Sequence, residues 1–230
     1  MKRVAILQSN YIPWKGYFDL IAAVDEFIIC DEVQFTRQDW RNRNRIKTAI
    51  GQAWLTVPVI SKKGLYSQTI NETRIANHDW QSRHWNQLVT NYRDATHFDE
   101  ISQCLKLIYD ADHVMLSDTN WMFLSAVCKY LGVVTPIKDC RDFNFPVGKN
   151  ERIISLCKQV HADIYVSGPA AKTYIDESLF HAAGVAVEWF DYGGYPEYPQ
   201  LWDGFVHEVS VLDLLFNCGA DAPKYMKYVR

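Results

Sequence analysis

The 230-residue sequence predicts an α/β fold built on a mostly parallel sheet, and three observations carry that reading. First, the apolar run Val4-Ala5-Ile6-Leu7 breaks into a polar, Gly- and Pro-punctuated loop, as strands buried on both faces do. Second, a helical stretch at residues 17–24 leads to another apolar run, residues 27–30, closing a β-helix-β unit whose strands should be parallel. Third, the alternation returns late in the chain: helix over 150–160, strand over 163–166, helix over 171–183, strand over 185–190. The expectation is a Rossmann-like sheet with an antiparallel hairpin insertion and a flanking helical cap at about 78–132, all in one domain spanning 1–230.

The remaining elements follow in order. Residues 44–50 and 53–59 flank Gly51-Gln52, a hairpin signal, and a strand at 68–76 is expected to join them. Residues 79–92, 98–109 and 118–131 have helical apolar spacing. Ser117 and Asp118 offer N-caps to the third of these, and Gly132 closes it. An aromatic loop, residues 192–200, precedes a last helix over 210–217 that Gly219 stops.

Composition excludes several classes. The hydrophobic share is 48% and the charged share 22%, ordinary for a globular protein, and no window approaches the ~18 consecutive apolar residues of a membrane span. Met1-Lys2-Arg3 runs straight into strand without the apolar core of a signal peptide, so a cytoplasmic protein is expected. A net charge of −3 argues against a dedicated nucleic-acid binder. The six cysteines form no CxxC pair and read as buried, reduced thiols, and no histidine pairing marks a metal site. Aromatic residues reach 14%, with 8 Trp and 13 Tyr, suited to stacking on sugars or bases and to filling a core.

Three constellations carry chemistry. The loop after the first strand holds Gln8, Asn10, Tyr11, Trp14, Lys15, Gly16 and Tyr17. Its amides can orient a base or sugar, Lys15 can neutralise a phosphate, and Gly16 lets a ligand approach the backbone. That loop resembles the His-x-Gly-His loop of nucleotidyl-transferring and adenylate-forming enzymes, with Trp14 and Tyr17 standing where both histidines would be. Next comes Asp31-Glu32-Val33-Gln34, then a basic run from Arg37 to Lys47 that interleaves Trp40 with Arg41, Asn42, Arg43, Asn44 and Arg45. Strand alternation puts Arg43, Arg45 and Lys47 on one side, a natural phosphate cradle. Third, Ser167-Gly168 makes a second anion-binding turn. Asp31, at a strand's carboxyl end, is the expected general base, with His84 and His97 as other titratable candidates.

Several segments together resemble the WbqC-like protein family. They are Gln8-x-x-Tyr11-x-Pro13-Trp14-x-Gly16-Tyr17-Phe18, Asp31-x-Val33-Gln34-Phe35, Arg41-Asn42-Arg43-Asn44-x-Ile46-Lys47, Gly51-x-x-Trp54-Leu55-Thr56-Val57-Pro58, Tyr165-x-Ser167-Gly168 and the tail from Ser210 to Gly219. The resemblance implies a role in bacterial surface polysaccharide (O-antigen or capsule) biosynthesis, and fixes no reaction. Joined to the residues, it gives a transferase or ligase that acylates the amine of a nucleotide-linked amino sugar. Lys15, Arg41, Arg43 and Lys47 would hold the diphosphate, Asp31 would accept the proton, and ATP or an acyl-CoA would be the co-substrate. The alternatives are a non-catalytic nucleotide-sugar or glycan-binding module and a nucleotidyl-transferring enzyme. A homo-oligomer is compatible with all three.

Overall fold

The computed structural model describes residues 1–60 and 68–230. In chain order the elements are β1 (Arg3–Leu7), α1 (Lys15–Ala22), β2 (Glu26–Ile29), β3 (Arg43–Thr48), β4 (Gly51–Thr56), β5 (Val59–Ile60) and β6 (Arg74–Ile75). They continue with α2 (Asp79–Tyr92), α3 (Phe98–Tyr109), α4 (Leu116–Tyr130), β7 (Ile137–Asp139), α5 (Lys149–Gln159), β8 (Ile164–Ser167), α6 (Glu177–Ala182), β9 (Ala186–Trp189) and α7 (Val211–Cys218).

Five strands form one sheet in the order β7-β2-β1-β8-β9, every neighbouring pair parallel. Numbered by their appearance within the sheet, that order is 3-2-1-4-5, the doubly wound arrangement. The order of winding reverses between β1 and β8, so the crevice beyond their carboxyl ends is where this architecture binds ligands. Alternation along the strands explains the layers. Ala5, Phe27, Ile29 and Val166 face one core with α1, α7 and the helices α2–α4. Val4, Ile6, Ile28, Cys30 and Tyr165 face a second core with α5 and α6. Truncating a ring such as Phe27, buried at the centre of the sheet, should cost about 3–5 kcal/mol.

Where the structure departs from the sequence reading, the causes are local. Helix α1 begins two residues early because Pro13 and an extended Trp14 (ψ 164°) set its first turn. The hairpin turns at Ala49-Ile50 rather than Gly51-Gln52: Thr48 pairs with Gly51, which opens β4 at φ 124°. The strand expected at 68–76 shrinks to β6, paired with β5, and a bridge from Thr69 to Gln34. Met115, without a side-chain cap, precedes α4; Ser117 lies inside the helix with its hydroxyl bonded elsewhere. The helix expected over 171–183 splits into a 3₁₀ turn, Pro169–Thr173, and α6, which Asp176 caps through Ser178 N. Strand β7 went unpredicted, since only Ile137 of its three residues is apolar. All six cysteines are free, five buried and Cys104 exposed. Among the described residues no helix is long and apolar enough to cross a membrane.

Candidate functional site at the switch point

The loop after β1 is tied down residue by residue. Tyr17 Oη donates to the Gln8 carbonyl (2.9 Å) and Tyr11 N to the Trp40 carbonyl (3.0 Å). Ile12 sits at φ 40°, a genuine outlier for a β-branched residue. It is held there because Asn44 Nδ2 donates to both the Tyr11 and Ile12 carbonyls (3.2 and 2.7 Å). Over-determined strain of this kind clusters at functional loops.

Below the loop lies Asp31, only 1% exposed. One carboxylate oxygen accepts from Ser9 N (2.8 Å), the other from the Ser9 and Ser117 hydroxyls (both 2.6 Å). Burial raises its pKa, although the serine donors and Arg41 pull it down. Every oxygen is engaged from inside the protein, so Asp31 fastens β1, β2 and α4 together rather than meeting a ligand as a base. His84, 4% exposed, is equally committed. Its Nε2 donates to the Thr56 carbonyl (3.2 Å), leaving Nδ1 to accept from Tyr11 Oη (2.9 Å), which in turn accepts from Tyr109 Oη (2.8 Å). Burial lowers the His84 pKa to about 4, so it is a neutral core imidazole. Tyr11 shares that core, against Trp80 and Phe123. His97, partly exposed, faces Glu100 at 3.4 Å on the helical layer.

Other expected ligands also serve the scaffold. Gly16 is required by Trp14, whose indole would lie 2.3 Å from an added Cβ; the side chain, not a ligand, occupies the space. Lys15 is 2% exposed, donates to the Pro196 carbonyl (3.1 Å) and lies near the Tyr195 and Tyr198 rings. Burial lowers its pKa to about 8 against the opposing pull of Asp19, Cys218 and Asp213. Lys47 donates to the carbonyls of Trp202 and Gly204. Asn42 Nδ2 donates to the Val57 carbonyl (2.9 Å). Gln34 is exposed beside Thr69. Ser167 accepts from Tyr165 Oη (3.1 Å), and Tyr192 covers Gly168.

What converges at the crest is Gln8, Asn10 and Arg41. The Arg41 guanidinium donates to Asn10 Oδ1 and to Gln8 Oε1 (2.9 Å), and its nearest carboxylate, Asp39, stands at 4.0 Å. A half-buried cation held by neutral amides keeps most of its charge for an incoming anion. Beside it opens a cavity of about 330 Å³ lined by Asn10, Pro13, Trp14, Trp40, Asn44, Arg45 and Glu208. Trp14 packs against Tyr192 and Tyr195 (5.5 Å each), and Trp40 against Trp54 (5.6 Å). Arg43 lies 4.1 Å over the Trp54 ring, while Arg45 pairs with Glu208 (3.1 Å). The three cations of β3 thus share a face: Arg43 and Arg45 both lie over the Trp54 ring, and Lys47 turns to the Trp202 and Gly204 carbonyls.

A model of the WbqC-like protein family matches residues 8–225. The chain belongs to that family. It is also 54% identical to uncharacterized protein Rv1507c of Mycobacterium tuberculosis (strain ATCC 25618 / H37Rv) over 231 residues, covering 100% of both chains. No solved structure matches. The family match takes in the whole crest of this WbqC-like protein, including two residues that the sequence reading passed over. Glu208, the one carboxylate lining the cavity among the described residues, stands two residues before Ser210, the cap of α7. Arg152 lies in the opening turns of α5, a position that a parallel sheet carries to its ligand-binding edge.

Proposed function

We propose that the protein binds a nucleotide-linked amino sugar across the switch point and acts in surface polysaccharide biosynthesis as a transferase or ligase that acylates the sugar's amine. The observation that carries the binding half is Arg41. It is a cation held by Gln8 and Asn10, with its nearest carboxylate, Asp39, at 4.0 Å, beside a cavity walled by Trp14 and Trp40. Phosphoryl oxygens suit the guanidinium, and a sugar or base suits the indole faces. The catalytic half gives Glu208 the role that Asp31 cannot fill, accepting a proton from the attacking amine at the cavity rim. ATP or an acyl-CoA would activate or deliver the acyl group.

The experiment is calorimetric titration of the full chain with UDP-, dTDP- and GDP-linked amino sugars, followed by product mass analysis after adding acyl-CoA or ATP with a carboxylic acid. Binding that Arg41→Gln weakens at least tenfold, and turnover that Glu208→Gln removes while binding persists, would support both halves. Turnover unchanged in Glu208→Gln would remove the base assignment, and no binding by any nucleotide-sugar would remove the reading. A non-catalytic binding module is the second reading. It is favoured by one fact: Asp31 and His84 are both enclosed and fully bonded. Binding without turnover under any donor would select it.

A further inference from the structure

Trp40 and Trp54 make an open aromatic platform at the mouth of the cavity. Tryptophan is highly buried on average, yet these two residues are 40% and 42% exposed. The β3–β4 hairpin puts Trp54 there. It pairs directly with Arg45, and alternation turns both outward while Ile46 and Leu55 face the core. Trp40 is fixed by its backbone, its N–H donating to Asp39 Oδ1 (2.7 Å) and its carbonyl accepting from Tyr11 N (3.0 Å). The two ring centroids stand 5.6 Å apart. Arg43, 4.1 Å from the Trp54 centroid, steadies that ring through one face by a cation–π contact.

Platform and cavity are one continuous surface. Trp40 and Arg45 both line the cavity, as does Asn10, the amide to which Arg41 donates. The Arg45 guanidinium lies 5.4 Å from the Trp40 and the Trp54 centroids alike, so it stands where the two meet. Among the described residues its one ion pair is with the exposed Glu208 (3.1 Å), and its buried Nε has no hydrogen-bond partner. The segment carrying Glu208 is fastened to the same walls: Ser210 N donates to the Arg45 carbonyl (2.8 Å) and Val211 N to the Pro13 carbonyl (2.9 Å). The two halves differ in chemistry. The cavity presents the Asn10 amide and the Glu208 carboxylate, which suit hydroxyls and an amine. The platform presents indoles backed by guanidinia, which suit a flat aromatic ring. Size separates them too. About 330 Å³ is the lower end of the ~300–1,000 Å³ of small-molecule sites, room for one ring and not for a whole nucleotide-linked sugar.

We propose that the Trp40–Trp54 platform is the nucleobase subsite, with the base stacked on the indoles, the diphosphate against Arg45 and the amino sugar in the cavity beside Glu208. This rests on the nucleotide-linked-sugar reading and orients the ligand within it. Stacking on an indole is tolerant of base identity, because every base has a π face.

The test is calorimetric titration of the full chain with UDP-glucosamine, UMP and glucosamine 1-phosphate, the dTDP and GDP counterparts run in parallel. The two monophosphates carry the same charged group and differ in having the base or the sugar; affinities too weak to titrate directly are read by competition against UDP-glucosamine. Trp54→Ala should weaken UDP-glucosamine and UMP about tenfold, the worth of one base–aromatic stack, and leave glucosamine 1-phosphate within about twofold. Trp54→Phe should restore part of the loss. Circular dichroism and melting temperature establish that the variants are folded; should Trp54→Ala not fold, Trp54→Leu, which keeps bulk and removes the π face, carries the same comparison. Unchanged UMP affinity in a folded variant, or equal weakening of both monophosphates, would overturn the base subsite while leaving the nucleotide-sugar reading intact. Absence of binding by any nucleotide-linked sugar to the wild type would overturn both.

Discussion

The helical layer and the crest of the sheet treat polar groups in opposite ways. Between α2, α3 and the β1 loop, His84, Tyr11 and Tyr109 form a closed chain of hydrogen bonds that ends on the Thr56 carbonyl, and burial keeps all three neutral. At the crest, Arg41 and Arg152 remain charged, and neither has a carboxylate closer than 4.0 Å. A buried polar group with all its bonds satisfied contributes rigidity. A cation left without a counter-charge is costly alone and useful to a ligand. The contrast teaches where to look: titratable side chains are not markers of function here until their partners have been counted.

That contrast can be broken at several points. The largest effect is expected at Asp31, which belongs to the crest by sequence and to the scaffold by bonding. Asp31→Ala strands Ser9 N, Ser9 Oγ and Ser117 Oγ without their acceptor, and urea unfolding should show a loss of about 3–5 kcal/mol. A loss below about 1 kcal/mol with abolished ligand binding would return Asp31 to the functional set.

His84 comes next, through pH. Its folded pKa of about 4 lies below the ordinary 6.5, so as pH falls the unfolded chain takes up the proton first. The stability it contributes is complete above pH 6.5 and is lost as pH falls toward 4, by up to about 3 kcal/mol. Unfolding free energies across that window should show this slope in the wild type and a flatter one in His84→Gln.

Asn44 tests the join between the two regions, since its amide holds the Ile12 strain. Asn44→Ala should lose about 2 kcal/mol and weaken ligand binding as well, the only one of these variants expected to do both. Binding unchanged in a folded Asn44→Ala would show that the Ile12 conformation serves packing alone. The smallest effect is expected at Lys15. Its ammonium has no carboxylate within 4.0 Å among the described residues and donates to one carbonyl, so Lys15→Met should change stability by no more than about 1 kcal/mol.

Much of the fold was legible in the sequence because its strands are continuous apolar runs and its helices keep clean spacing; α2 and α3 begin and end where the pattern says. Strand β7 was not legible, since Ile137 alone carries the signal and the sheet completes the rest by pairing with β2. Of the candidate site, residue type picked out Gln8 and Asn10 for a base or sugar and Arg41 for a diphosphate; that Arg41 donates to both amides is seen only in the structure. The burial of Tyr11, Asp31 and His84 was not legible, because the groups that enclose them lie far off in sequence, 86 residues in the pairing of Asp31 with Ser117. Arg152 escaped notice for the same reason, meeting Glu32 across 120 residues.

The measurement that tests the account most directly is a paired one on Arg41→Gln and His84→Gln, recording nucleotide-sugar affinity and unfolding free energy for each at pH 7.5. The account predicts that Arg41→Gln loses at least tenfold in affinity with stability within about 1 kcal/mol of wild type. His84→Gln should lose about 2 kcal/mol or more of stability while its folded fraction binds as the wild type does. Wild-type affinity in Arg41→Gln, or lost binding in fully folded His84→Gln, would contradict it.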